Sequence, residues 1–158
     1  MDKREYKELS ELAANGGTKA FARLYETLYR EMYYTAFYSL CDEPDTVEVI
    51  ISTARDTMSA IGKLHTEEAF RSFMMRTLCA RIRSKFREYS AKERRMPESS
   101  GSFDVRAEFA RLGDTERLVA SMYIGGKFQP DEISAYSGLS PAAVKKKLEN
   151  VIAGFELD

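Results

Sequence analysis

Apolar residues recur along this chain at spacings of three and four, and no stretch alternates with period two, so the pattern predicts an all-α fold. Tyr6, Leu9 and Leu12 predict a short first helix that stops at Asn15-Gly16-Gly17, residues that readily take the left-handed conformation at a helix end. Thr18 then caps a long second helix on which Phe21, Leu24, Tyr25, Leu28, Met32, Ala36 and Phe37 keep the helical period, up to the cluster Asp42 to Pro44. A third helix over about Asp45 to Ile61 carries Val47, Ile50, Ile51, Ala54, Met58 and Ile61, with Gly62 as its stop. Thr66, followed by Glu67 and Glu68, opens a fourth helix, because a threonine cap and acids in the first turn satisfy the free N–H groups and the helix dipole. Its stripe is Phe70, Phe73, Met74, Leu78, Ile82 and Phe86, and it runs to about Glu88, with Arg76, Arg83 and Arg87 on a different side.

Periodicity fails over YSAKERRMPESSGSFD, which holds Pro97, Gly101 and four serines. Residues 89–104 therefore read as a linker between two small helical domains, 1–88 and 105–158. Beyond the linker come a short helix to Leu112, another from Asp114 to Ile124, and a tightly joined pair. Gln129-Pro130-Asp131-Glu132 opens the first of the pair and Gly138 closes it. Ser140-Pro141 opens the second with a cap serine and proline at the first helical position.

The pair FQPDEISAYSGLSPAAVKKKLENVI has the layout of a helix-turn-helix, spanning about Gln129 to Phe155. Ile133, Leu139, Val144 and Leu148 are the inward positions, and Ser134 is small where the helices cross. Ser140, Ala142, Ala143, Lys145, Lys146 and Lys147 remain for the outer face, where small residues permit close approach to a groove and lysines meet phosphates. A structural αα-hairpin of no further function has the same pattern.

Charge sharpens the picture only when it is counted by segment. The whole chain carries 24 Lys/Arg against 25 Asp/Glu, yet residues 71–95 hold nine basic against two acidic side chains, between acidic flanks. A block of that sign points to a polyanion, through Arg76, Arg83, Lys85 and Arg87, or else to a solvated helix face. The 44% hydrophobic content suffices for a core, and there is no apolar run long enough to insert in a membrane and no signal-peptide pattern, so a cytoplasmic location is expected. Cys41, Cys79 and the single His65 make no metal-ligand set, there is no glycine-rich phosphate loop, and no nucleophile has a base at hand; no metal, cofactor or enzymatic role is expected.

At this point the chain resembles a known family, the extracytoplasmic-function sigma factors of bacterial RNA polymerase, over most of residues 18–155. AFARLYETLYREMYYTAFYSLCDEPDTVE is similar to the opening helix and turn of that family's second region, and AFRSFMMRTLCARIRSKFRE to the helix that opens the minus-ten promoter element. RLGDTERLVASMYIGGKFQPDEISAYSGLSPAAVKKKLENV is similar to the module that reads the minus-thirty-five element. The resemblance implies a transcription initiation factor that directs core RNA polymerase to promoter DNA. The helix Asp45 to Ile61, through Val47, Glu48, Ile51, Ser52 and Arg55, would meet the polymerase, Arg71 to Arg87 would hold DNA near the melted element, and Ser140 to Lys147 would form the recognition helix. It also implies an anti-sigma partner.

The chain departs from the family at named positions. Ile51 and Ser52 replace a Gln-Glu pair, Met58 and Phe73 stand where tryptophans are usual, and Glu149-Asn150-Val151-Ile152 replaces an arginine-rich end. These departures keep a second reading open, a sigma-derived helical interaction module or regulator that no longer engages core polymerase.

Overall fold

The computed structural model describes residues 1–91 and 112–156, with backbone only for the last two; the expected linker beyond Ala91 and the short helix before Leu112 lie outside the described residues. Helices follow one another in the order α1 (Lys3–Ala14), α2 (Thr18–Glu26), α3 (Tyr29–Leu40), α4 (Glu43–Ala60), a 3-10 turn (Ile61–Lys63), α5 (Glu67–Ala91), α6 (Asp114–Ala120), a π-helical turn (Ser121–Gly125), α7 (Pro130–Ser137) and α8 (Pro141–Glu156). Among the described residues there is no strand, and the fold is all-α.

The ends of these helices follow from local chemistry. Asp2 and Asp42 accept from the backbone N–H of Glu5 and Asp45 at 2.7 and 2.9 Å, and Thr66 accepts from Ala69 at 3.0 Å, so α1, α4 and α5 each begin on a side-chain oxygen. After α1, Gly16 takes φ 93°, and a Cβ on Gly17 would lie 2.7 Å from the carbonyl oxygen of Leu12. One glycine serves conformation and the next serves space.

Several expectations need correction. The long helix predicted from Thr18 breaks at Thr27 and Leu28, whose N–H groups turn to i−3 carbonyls, those of Leu24 and Tyr25. The Thr27 hydroxyl donates to the Leu24 carbonyl at 2.6 Å, a local bond that competes with helix continuation. Thr18 is also not the cap; Gly17 holds that position without a side-chain bond. In α1 the buried stripe is Tyr6, Leu9 and Ala13, while Leu12 is 58% exposed.

A further correction concerns α4. Its buried side is Thr46, Val49, Ile50, Thr53 and Thr57, one register away from the predicted apolar face, and Val47 and Ile51 stand exposed. Threonine can occupy such a stripe because its hydroxyl bonds back to its own helix: Thr46 donates to Asp42 at 2.7 Å and Thr57 to Thr53 at 2.8 Å, leaving the methyl groups for the core.

At the centre lies α5. Phe70, Met74, Met75, Leu78, Cys79, Ile82 and Phe86 are all buried on it, and Phe73 packs half-buried against the same core. The core takes in residues from both sides of segment 92–111, since Leu118, Val119, Met122, Phe128, Ile133, Val144 and Leu148 join those of α1 to α5. The helix continues through Tyr89 to Ala91, three residues past its expected end. Cys79 contacts the Met122 sulfur at 3.8 Å, and burial pushes its thiol up to about 12, which makes it an inert packing residue.

Tyr6 ties α1 to the turn before α5 by donating to the Leu64 carbonyl at 2.6 Å. Burial first, and Glu67 second, push its hydroxyl up to about 12; burial and then Tyr29 do the same to Tyr25. An unfolded tyrosine ionises near pH 10, so the unfolded chain loses these protons before the folded one. Stability is therefore expected to be complete below pH 10 and to fall between pH 10 and 12. Urea midpoints measured across that range should show the fall, and Tyr6→Phe should make it shallower while costing about 1 kcal/mol at pH 7.

Candidate nucleic-acid and partner interface

The second helical pair is braced by its serines. The Gln129 N–H donates to the Glu132 carboxylate at 3.0 Å as α7 begins, with Pro130 in the first turn. Gly138 then takes φ 79°, a conformation open to glycine at little cost. Ser134 donates to the Leu139 carbonyl at 2.7 Å, and Ser137 accepts from the Leu139 N–H at 3.2 Å, so both strands of the turn are pinned. Ser140 accepts from the Ala143 N–H at 3.1 Å and starts α8. Ile133, Val144 and Leu148 are buried and Leu139 half-buried, which anchors both helices on one core.

That anchoring decides which side of α8 faces out. Ala142, Lys145, Lys146 and Glu149 are exposed, with Ser140 at the head of the helix; Ala143 and Lys147 are half-buried at its edge. Lys147 donates to Glu116 of α6 at 3.1 Å. Lys145 and Lys146 make no ion pair among the described residues, so they are the cations of this face most available to an anion.

The basic residues of α5 are disposed differently. Arg76 donates to the Ala135 carbonyl of α7 at 3.2 Å, and Arg81 pairs with Asp56 of α4 at 2.5 Å. Lys85 is a hub: its ammonium lies 2.6 Å from Glu48, 3.3 Å from Glu88 and 3.4 Å from Asp45, and its side chain is only 13% exposed. The Glu48 hydrogen bond, with Glu88 and Asp45 beside it, raises the Lys85 pKa despite partial desolvation. Tyr89 donates to the same Asp45, and burial together with that bond raises its own pKa. Arg87 donates to Ser84 on its own helix at 3.0 Å. An open groove of about 680 Å3 runs outside α5, lined by Asp56, Phe73, Arg76, Thr77 and Arg81 among others.

Of the residues expected to meet a partner on α4, Val47 is 43% and Ile51 46% exposed, Arg55 is exposed and Ser52 half-buried. Glu48 points to Lys85 instead. Nothing in the pattern of residues pointed to this cluster across helices, although Glu88 three residues after Lys85 was a visible i,i+3 pair. Arg117 was also missed. It is 2% exposed, its guanidinium lies over the Phe86 ring at 5.9 Å, and it donates to the carbonyls of Ser39 and Leu112 at 3.4 and 3.3 Å.

No protein-family model and no curated protein matches the sequence. The structure is similar to a solved one, that of CnrH in complex with the cytosolic domain of CnrY, with a TM-score of 0.73, 19% identity, and coverage of 97% of this chain and 96% of that chain. At that identity the likeness shows the fold alone. No helix among the described residues is long and apolar enough to cross a membrane.

Lys85 and Arg87 are neighbours in sequence with different surroundings, and substitution should separate them. Lys85→Ala leaves three carboxylates facing one another and is expected to lower stability by about 2 kcal/mol, whereas Arg87→Ala should move it by less than about 0.5 kcal/mol. Chemical denaturation of both variants checks this; equal effects would show that the Lys85 cluster does not hold α4 on α5.

Proposed function

We propose that this chain is a DNA-binding transcription initiation factor of the extracytoplasmic-function sigma type, which brings core RNA polymerase to promoters in the cytoplasm and has no enzymatic role. The observation that carries this reading is the outward face of α8. Small residues and two lysines that make no ion pair among the described residues sit near the start of a helix whose opposite side is locked onto the core, within a fold that is sigma-like along nearly its whole length. Ser140 and Ala142 leave room for the edge of a groove, and Lys145 and Lys146 supply phosphate contacts. Arg83 and Arg87 of α5 add positive charge for the second DNA contact, whereas Arg76 and Lys85 would first have to leave their protein partners.

For the polymerase contact, the exposed Val47 and Ile51 lie one turn apart on α4 and offer apolar contact where the family has a polar pair. A second reading, a sigma-like interaction module, draws on this same apolar pair and on the neutralisation of Lys85 by three acids. CnrH is bound to the cytosolic domain of CnrY; by analogy an anti-sigma protein is proposed as a further partner here.

Two measurements separate the readings. Replacing Lys145 and Lys146 together by Ala should weaken promoter binding and reduce the slope of log affinity against log salt by about 1.8, since each phosphate contact contributes ~0.9. An unchanged slope would remove α8 from the DNA interface. Ile51→Asp should abolish capture of core RNA polymerase and promoter-dependent transcription while leaving the circular dichroism spectrum intact, because a charge placed in an apolar interface has no partner there. Capture that survives Ile51→Asp would place the polymerase contact elsewhere, and wild-type protein that captures no polymerase would favour the interaction module.

A further inference from the structure

A cleft between α1 and the segment that leads into α5 takes no part in the reading above. It encloses about 730 Å3, within the range of small-ligand sites, about 300 to 1,000 Å3. Its deep side is apolar, lined by Tyr6, Ile61 and Leu64, which are at most 9% exposed. The Tyr6 hydroxyl donates to the Leu64 carbonyl at 2.6 Å and so ties the two sides of the cleft together. An occupant therefore meets a cleft that is already formed, with little ordering left to offset its binding.

The two rims carry opposite charge. Lys3 and Lys7, one turn apart on α1, border one side, and Glu67 and Glu68 of the first turn of α5 border the other. The charges do not close on one another: among the described residues Lys3, Lys7 and Glu68 make no ion pair, and Glu67 meets the Met1 ammonium at 3.9 Å. Nearby, charges of α1 and α2 do close, Arg23 on Glu5 at 3.3 Å. Asp2 and Glu11 also border the cleft, but the Asp2 carboxylate is held by the Glu5 N–H at 2.7 Å, and Glu11 stands one turn past Lys7. A ligand of one charge would satisfy one rim and meet like charge on the other. A ligand with a cation at one end and an anion at the other satisfies both, while an apolar body between them covers Tyr6, Ile61 and Leu64.

We propose that this cleft binds a small zwitterion with an apolar body, the chemical class of an apolar amino acid or dipeptide. Its ammonium meets Glu67 and Glu68, its carboxylate meets Lys3 and Lys7, and its side chain rests on Tyr6, Ile61 and Leu64. None of Arg83, Arg87, Lys145 or Lys146 lines the cleft, so the site stands whether or not the chain binds DNA.

Titration of the full chain with L-phenylalanine and with L-leucyl-L-phenylalanine, followed by calorimetry and backbone amide shifts, tests this. Saturable binding of at least one is expected, with a Kd on the order of 0.1 mM, and with shifts centred on α1 and residues 61–70. Acetylating the amine of the tighter probe, or amidating its carboxylate, should each weaken binding about tenfold. Glu67→Gln combined with Glu68→Gln should erase the preference for a free amine and keep that for a free carboxylate, and Lys3→Gln combined with Lys7→Gln should do the reverse. Side chains with a merely structural role would leave both preferences in place. Gly62→Leu should plug the site: a Cβ there would lie at an ordinary 3.9 Å from Ala14, at the edge of the cleft, and Gly62 does not have a positive φ. Loss of both probes with an unchanged circular dichroism spectrum is the expected result. The proposal is overturned if neither probe saturates by about 10 mM, if the shifts centre elsewhere, or if the charge variants leave the preferences as in wild type. Should Gly62→Leu not fold, the derivatives and the charge variants decide.

Discussion

A single helix has to be buried on several sides at once, and the rest of the structure is arranged around that demand. Over Glu67–Ala91 the apolar positions Phe70, Met74, Met75, Leu78, Cys79, Ile82 and Phe86 wrap too far round α5 to be covered by one neighbour. Helices α3 and α4 cover one part, and α6, the π-helical turn and α7 cover another. The basic side chains are confined to what remains of the circumference. Arg81, Lys85 and Arg76 consequently end at its borders, against Asp56, Glu48, Asp45 and the α7 backbone.

Helix ends were legible in the sequence wherever a short-range rule settles them. Thr66 caps α5, Ser140 caps α8, Gly16 and Gly138 take the left-handed conformation, and Gln129 with Glu132 begins α7. These are decided within four residues of chain, so no knowledge of tertiary packing is needed. Interior faces were less legible. The predicted apolar side of α4 is displaced because buried threonines satisfy their own hydroxyls and pass as core residues, leaving Val47 and Ile51 outside. The break at Thr27 and Leu28 was hidden for a related reason, since Leu24, Leu28 and Met32 remain buried in register across it.

The candidate site divides along the same line. On α8 the pattern alone separated inward from outward positions, because Val144 and Leu148 fix the helix rotation and the lysines follow. On α5 the count of nine basic against two acidic residues in segment 71–95 described composition and not availability. Asp45, Glu48 and Asp56, which take up Lys85 and Arg81, belong to a helix more than twenty residues earlier, and only the fold brings the two together.

That distinction bears on how this fold can diverge. Lys145 and Lys146 of α8 make no ion pair among the described residues, so they can change with little effect on stability, unlike Lys147, which bonds Glu116. Lys85 and Arg81 are bound to acids of α4, the helix that also carries the exposed pair Val47 and Ile51. Any substitution on α4 that alters those acids shifts the cations on α5 as well, because removing one partner of a shielded charge leaves the other uncompensated. The exposed side of α4 and the basic side of α5 are thus tied through one ionic cluster, and change in one constrains change in the other. Ile51 and Ser52 fit that constraint: neither residue takes part in the Lys85 cluster, so the surface can be apolar there while the hold of α4 on α5 is kept.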